Sequence, residues 1–478
     1  MSDLILLMPE LVLVMAALAL VVVARHVTRP AVAAICVVIA AAGALASAWV
    51  FPGGVGGGFG GAITGDGYAR FFTILFTSTA ALAAMLSVRA IETEHVPPAE
   101  YYALLLLATA GMMLAAAALD LVILYLGLEL MTLCAYILVG ITRERLASNE
   151  AAIKYFLLGS FASAVLLYGI ALIYGVTGET DFAGIASAAA VGGRPSAVLL
   201  VGIALVAGGL AFKIAAVPLH AWAPDVYQGA SAPVAGFLAA GSKAAGLAAL
   251  VRICLVAFPS EHRMWSEVLV TLAALSMVVG SLLAIAQTNM KRLLAYSSIA
   301  HAGYALIGLV PGTPEGASAT MTYAFVYAFM TLGTFGVVIA LGERGETLDG
   351  YRGLDDTAPR TAGVMFLFLL SMTGIPLTAG FTAKFAVILS AVRAGYVPLA
   401  LLAVACSVVS AFFYLRVAVL MFMTSSERAA PARFPAAVSA AIILAALVII
   451  AGGVFPDAFS RWTVPPLGPG TTQVLRHE

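Results

Sequence analysis

Apolar residues run along this chain in blocks separated by short stretches that carry most of its charge. A helix needs about 17–25 such residues to cross a bilayer. On that measure the pattern predicts fourteen spans, roughly at 4–23, 30–51, 68–88, 101–118, 120–140, 151–175, 197–218, 232–257, 266–286, 296–310, 318–342, 361–392, 398–423 and 434–456. The boundary near 120 is marked only by Asp120, and the tenth span is short. No interval between spans is long enough to hold a soluble domain. The first block is too long for a signal-peptide core and follows Ser2 and Asp3 rather than basic residues, so it reads as a retained span.

Two blocks look interrupted. The seventh runs into AAVPLHAWAPDVYQGASAP, with Pro218, Pro224 and Pro233. The twelfth is too long for one straight span and contains SMTGIPLTAGF, with Gly374, Pro376 and Gly380. Proline removes a backbone donor and clashes with the preceding turn, so both helices are expected to break. A lysine stands close to each break, Lys213 before the first and Lys384 after the second. That reversal is what opposite orientation gives, and paired broken helices are the sequence mark of an inverted-repeat transporter. The expected architecture is all-α and polytopic. Peripheral helices occupy 1–100, two inverted five-helix repeats occupy 101–257 (spans 4–8) and 266–423 (spans 9–13), and 434–478 holds a last helix with a short tail.

Composition agrees with a membrane solvent. The chain is 62% hydrophobic and 10% charged, where a soluble domain carries about 25% charged residues. Its zero net charge points to neither nucleic acid nor acidic substrates. Cys36, Cys134, Cys254 and Cys406 lie far apart in apolar runs, without metal, haem or iron–sulfur spacing. The run GGVGGGFGG at 53–61 has no preceding strand and reads as a flexible loop, not a phosphate cradle. Alternate loops divide the basic residues unevenly. One set holds twelve: Arg25, Arg29, Arg89, Arg143, Arg145, Lys291, Arg292, Arg344, Arg352, Arg360, Arg428 and Arg433. The other holds six: Arg70, Arg194, Arg263, Arg393, Arg461 and Arg476. The excess places the first set in the cytoplasm and, with fourteen spans, both termini outside.

The chain has five lysines, and four of them (Lys154, Lys213, Lys243 and Lys384) lie in or at the edge of apolar runs, as does Glu129. Lys291 falls in a loop. A charge at bilayer mid-depth costs at least about 2.5–3.5 kcal/mol, and such residues mark ion pathways and proton relays. Lys243 has about ten apolar or small residues on each side, which makes snorkelling to the interface hard. Lys154 follows Glu150 by four residues near a helix start, where a surface ion pair is the plainer reading. His220, in the first break, and His301, in SSIAHAGYALIG, are relay candidates because histidine titrates near neutrality. Arg252 and Arg416 lie nearer span ends and are expected to snorkel, Glu10 to reach the interface, and Asp225 to cap the break. Burial disfavours an ammonium and a nearby carboxylate favours it, so a Glu129–Lys213 pair is expected to act as a switch.

Three long stretches then carry a resemblance: FKIAAVPLHAWAPDVYQGASAPV at 212–234, NMKRLLAYSSIAHAGY at 289–304 and TGIPLTAGFTAKF at 373–385. They resemble the antiporter-like membrane subunits of respiratory complex I, NADH:quinone oxidoreductase, and the likeness extends over nearly the whole chain. Within that group the chain is most similar to the N branch. Lys384 stands where the M branch and the cation-antiporter relatives have glutamate, Lys154 matches an N-type position, and the tail after 456 is short. The resemblance implies a proton-translocating subunit with Glu129 and Lys213 as an ion pair, Lys243 as central relay, Lys384 as exit-side lysine and His301 between the last two. It implies an entry half in 101–257 and an exit half in 266–423. It further implies that NADH, FMN, iron–sulfur clusters and quinone belong to partner subunits, with an M-type antiporter-like subunit and small K/J/A-type subunits as neighbours. The Ala/Gly/Arg-rich composition suggests a bacterial inner membrane. The alternative is a subunit of a multi-subunit cation/proton antiporter.

Overall fold

The computed structural model describes residues 2–50, 57–191, 196–425 and 435–456. Residues 53–56 of the glycine-rich run, the tail after 456, and Arg194, Arg428, Arg433, Arg461 and Arg476 of the charge comparison lie outside the described residues. Each expected apolar block forms a helix or a pair of half-helices, and no strand forms among the described residues. They are α1 (Met8–Val22), α2 (Pro30–Val50), α3 (Gly67–Thr93), α4 (Pro98–Ala117), α5 (Leu121–Val139) and α6 (Leu146–Thr177). The first broken helix gives α7a (Ala197–Lys213) and α7b (Trp222–Gly229). There follow α8 (Ala232–Ala257), α9 (His262–Ile285), α10 (Met290–Leu309) and α11 (Pro314–Leu341). The second broken helix gives α12a (Pro359–Thr373) and α12b (Ala379–Arg393), before α13 (Val397–Phe422) and α14 (Ala436–Val454).

Among the described residues ten helices are by themselves long and apolar enough to cross a membrane. Helices α1, α7a and α12a are apolar but shorter, and α10 is punctuated by Lys291, Arg292, Ser297, Ser298 and His301. The expected fourteen is thus a count of helical blocks, ten of which meet the length and apolarity of a span individually.

Burial sorts these helices. The apolar stretches of α8 and α11 are enclosed almost throughout, whereas α6, α9, α13 and α14 bury one face and turn the other outward. Close packing relies on small residues, as expected where lipid is as apolar as the protein. Helices α4 and α5 meet at Gly111 and Gly127, where a Cβ on either would lie 2.6 Å from a backbone nitrogen of the other helix. That contact fixes the helix that carries Glu129.

Both sequence breaks are present. Helix α7a stops at Lys213, and the chain turns through Ala215, a non-glycine residue at φ 57°, before α7b begins. The turn is pinned by Trp222 Nε1 donating to Phe212 O (3.0 Å) and by Val217 N donating to Ser276 Oγ (2.9 Å). Helix α12a stops at Thr373, followed by Gly374 at φ 90° and Leu377 at φ 71°. Strained backbone of this kind persists only where surroundings over-determine it.

One arginine expected to snorkel does not. Arg252, at the far end of α8 from its proline start, is fully buried and grips Asp66 through two bonds of 2.7 and 2.8 Å. It also donates to Ala116 O at the end of α4 (3.3 Å) and lies 4.3 Å from the centre of the Tyr68 ring. Asp66 in turn caps α3 by accepting from Ala69 N. One guanidinium therefore ties α8 to α3 and α4. Arg416, half-buried, reaches the span end, donating to Ile285 O and Gln287 O at the C-terminal end of α9. An apolar-window reading finds no interior partner for an arginine near a span end, so it sends the side chain to the interface.

Removing one partner of a buried ion pair strands the other charge and costs about 3–5 kcal/mol. Arg252→Ala is expected to lower thermal stability of the detergent-extracted protein by that order. Arg252→Lys, which keeps the charge but not the planar fork, should fall between the two. A melting curve for Arg252→Ala that matches the parent would remove the tie.

Candidate functional site

The buried lysines Lys213, Lys243 and Lys384 lie on helices that break or widen. Lys213 is the last residue of α7a, where helix-end carbonyls favour a cation. It is 2% exposed. Its ammonium donates to Thr132 Oγ1 (2.7 Å) and Glu129 Oε1 (3.3 Å) on α5 and to Ser163 Oγ on α6 (3.3 Å). Ser163 donates to the same Glu129 oxygen. Glu129 is half-buried, its side chain 19% exposed. The expected pair thus exists, inside a cluster whose nearest member to the lysine is Thr132. The sequence reading missed Thr132 and Ser163. Thr132 sits at i+3 from Glu129 on the same helix face, a usable signal; nothing local marks Ser163.

Lys243 follows a turn of π-type bonding at Leu238–Ser242 within α8. Such widened turns recur at functional sites because they re-aim side chains. Lys243 is 2% exposed and has no carboxylate partner among the described residues. It donates to Ser298 O (2.8 Å) and Ser298 Oγ (2.7 Å) on α10. Helix α8 presses against the end of α7a at Gly246, where a Cβ would come 3.3 Å from Lys213 Cβ.

From Ser298, α10 leads onward. Ser297, Ser298, His301 and Tyr304 recur at helical spacing and share one stripe. His301 Nδ1 pairs with Tyr323 OH (2.7 Å) and Nε2 with Tyr414 OH (3.1 Å); Tyr414 OH also bonds Ser297 Oγ. Tyr304 puts its ring under Lys384, whose ammonium lies 4.6 Å from the ring centre. Lys384, on α12b, donates to Thr373 O (3.0 Å), the end of α12a, and to Ser407 Oγ on α13 (3.1 Å). A half-helix C-terminus facing a cation is the geometry of transporter ion sites. The three lysines and His301 therefore form one buried series, with α10 as the bridge between Lys243 and Lys384.

The remaining candidates divide. Lys154 is 43% exposed and bonds Glu150 (2.7 Å) and Asp225 (2.9 Å); Asp225 also takes Arg292 (2.7 Å). This network clamps α7b to α6 and α10 at the surface, apart from the buried series. His220 lies in the first break, its Nδ1 buried and without a hydrogen-bond partner among the described residues. Lys291, read as a loop residue, is instead in the first turn of α10 and fully buried, bonded to Glu346 Oε1 (2.8 Å) and Ala230 O (3.1 Å). Its surroundings are polar in sequence, and only folding closes α7b and the Glu346 segment over it. Among the described residues no cluster of His, Cys, Asp and Glu could hold a metal ion.

Comparison with known proteins gives this geometry relatives. Residues 117–413 match the family described as NADH:quinone oxidoreductase/Mrp antiporter, TM. The NADH-quinone oxidoreductase subunit N of Trichlorobacter lovleyi is 46% identical, covering 82% of this chain and 80% of that protein. A chain of respiratory complex I from Thermus thermophilus superposes with TM-score 0.82 at 34% identity, covering 97% of this chain and 100% of that one. A chain of the Mrp complex from Dietzia sp. superposes with TM-score 0.85 at 23% identity, covering 98% and 99%, a likeness of fold alone.

If Glu129 and Lys213 act as one unit, their substitutions will not add. Residues in one ion-pair network show interaction energies of about 0.5–3 kcal/mol. Glu129→Gln and Lys213→Met are each expected to destabilise the extracted protein, and the double variant to be less damaged than the sum by that order. Strict additivity in thermal melts would deny the pair.

Proposed function

The chain belongs to the NADH:quinone oxidoreductase/Mrp antiporter transmembrane family, among its NADH-quinone oxidoreductase N subunits, and from that premise we propose the residues by which it moves protons. It is a membrane-arm subunit of the proton-translocating complex, lying beside antiporter-like and small membrane subunits. The redox chemistry of NADH, FMN, iron–sulfur clusters and quinone belongs to partner subunits, and this chain contributes a buried path. Glu129 and Lys213 form the switch in the entry half, Lys243 is the central carrier, His301 the bridge, and Lys384 the exit-side carrier. Lys154 and His220 are side groups, the first a clamp on α7b and the second a relay within the break. The two five-helix halves, 101–257 and 266–423, run in opposite orientation, with both termini on the periplasmic side of a bacterial inner membrane.

The observation that carries this reading is the contrast between the lysines. Lys213 has a carboxylate at 3.3 Å, whereas among the described residues Lys243 and Lys384 have only hydroxyl, carbonyl and ring partners. An ammonium beside a carboxylate keeps its proton; one desolvated among neutral oxygens is poised to give it up. When Glu129 is drawn away by a change of charge in a neighbouring subunit, Lys213 becomes like the other two. Its charge then ceases to be compensated, and Lys213 is driven to release its proton. Moving the charge against the membrane potential requires about 2.3 kcal/mol per 100 mV, which electron transfer in the partner subunits supplies. An Mrp-type antiporter reading has the shared fold in its favour, while the N-subunit relatives carry the identity.

Lys243 needs to titrate, so Lys243→Arg should assemble and pump poorly, because arginine stays protonated. Proton pumping per NADH in inverted membrane vesicles, at matched amounts of assembled complex, measures it. Pumping at the parent rate would make Lys243 an electrostatic fixture.

Lys384→Ala is expected to impair turnover in an assembled complex. Lys384→Glu should retain part of it, since a desolvated carboxyl also titrates. Parent-level pumping in Lys384→Ala would take this lysine off the path.

A further inference from the structure

Lys213 spends three hydrogen bonds within the α5–α6 cluster, on Thr132, Glu129 and Ser163. Lys243 therefore calls for a proton supply with a different geometry. The arginine-rich face of the molecule, read as cytoplasmic, has a cavity of about 810 Å³ whose wall includes Arg89, Glu94, Arg145, Pro233 and Glu346. Pro233 stands in the first turn of α8, ten residues before Lys243. Glu346 is one-third exposed to this cavity and holds Lys291, which is fully buried behind it. Lys291 spends a second donor on Ala230 O, at the end of α7b. One turn back along α7b is Tyr227, fully buried, its hydroxyl without a hydrogen-bond partner among the described residues. That hydroxyl faces Ser298 and Tyr327. Ser298 is the residue that receives both bonds from Lys243. Ser242 and Thr331, in the same neighbourhood, are also buried, their hydroxyls beside those of Tyr155 and Tyr327. Buried hydroxyls are nearly always hydrogen-bonded in native proteins, by ordered water where the protein offers nothing.

We propose that the Glu346–Lys291 pair is the proton entrance to Lys243, leading from the cavity through the hydroxyls of Tyr227 and Ser298 and bypassing Lys213. The inference rests on the reading of Lys243 as a proton carrier. Glu346 takes a proton from the cavity. Lys291 holds the carboxylate in place and keeps the passage narrow. Tyr227 and Ser298, each able to accept one proton while donating its own, pass it along a hydrated line to Lys243. Lys213 and Glu129 then need not conduct; they set by their charge whether Lys243 accepts.

The test uses assembled complex in vesicles made leaky to protons, with the rate of NADH oxidation by quinone as readout. Tyr227→Phe removes one oxygen and no packing. Glu346→Gln removes the carboxylate. Both are expected to slow turnover about tenfold, short of the ~100-fold that a positioned proton donor supplies where no bypass exists. Imidazole, a small proton carrier, should restore most of the rate, and Glu346→Asp should stay close to the parent. A loss that imidazole leaves untouched would mark a structural role and overturn the entrance. So would parent rates in both variants while Lys243→Arg is impaired. Parent rates in Lys243→Arg as well would instead overturn the underlying reading of Lys243. Should Glu346→Gln fail to assemble, Tyr227→Phe decides alone.

Discussion

A backbone carbonyl or amide left unpaired inside a bilayer costs several kcal/mol, so a membrane helix can be interrupted only where other groups take over its freed ends. That constraint organises this protein. The end of α12a is satisfied in part by Lys384, whose ammonium takes the Thr373 carbonyl, and the end of α7a by Trp222 and by the turn behind Lys213. The breaks make the lysines tolerable, because helix C-termini favour cations. The lysines and their neighbours make the breaks tolerable in return. Neither feature would persist alone at that depth.

The same reciprocity explains why the polar interior is built mainly of hydroxyls. Tyrosine, serine and threonine both give and accept a proton, so they bond a lysine in either protonation state without fixing which one it has. Ser298 beneath Lys243, Ser407 beside Lys384, and Tyr323 and Tyr414 on either side of His301 all belong to this type. A carboxylate enters the buried series only at Glu129, which is also the member with partial exposure. The compensating charge is thus the partly exposed member of the series, and Lys243 and Lys384 are enclosed.

Cations that do not belong to the series have been locked by different chemistry. Arg252 has a bidentate carboxylate, and Arg416 holds backbone carbonyls at the end of α9. Arginine does not titrate at relevant pH, so such contacts fasten helices without adding a second place for a proton to sit. Lysine therefore lines the buried series and arginine fastens helix ends, while Lys291, a buried lysine outside the series, is held by Glu346 and Ala230 O.

How much of this could be read from the chain follows from the range of each interaction. Apolar blocks, the two proline-marked breaks and the stranded lysines are local facts, and the bilayer imposes them on a sequence directly, since length and apolarity decide what spans it. They put Lys213 and Lys384 beside the interrupted helices and Glu129 and Lys243 within apolar spans, where each is buried or half-buried. Beyond the Glu129–Lys213 and Glu150–Lys154 pairs, which group meets which is not legible in the chain. Ser163 is 50 residues from Lys213, Ser298 is 55 from Lys243, and Asp66 is 186 from Arg252. Lys291 looked solvated because its sequence neighbours are polar, yet it is enclosed by segments from both sides of the chain. Local pattern reports the solvent a segment prefers; partners, and hence whether a buried cation is fastened or free to give up its proton, arise only when distant helices are packed together.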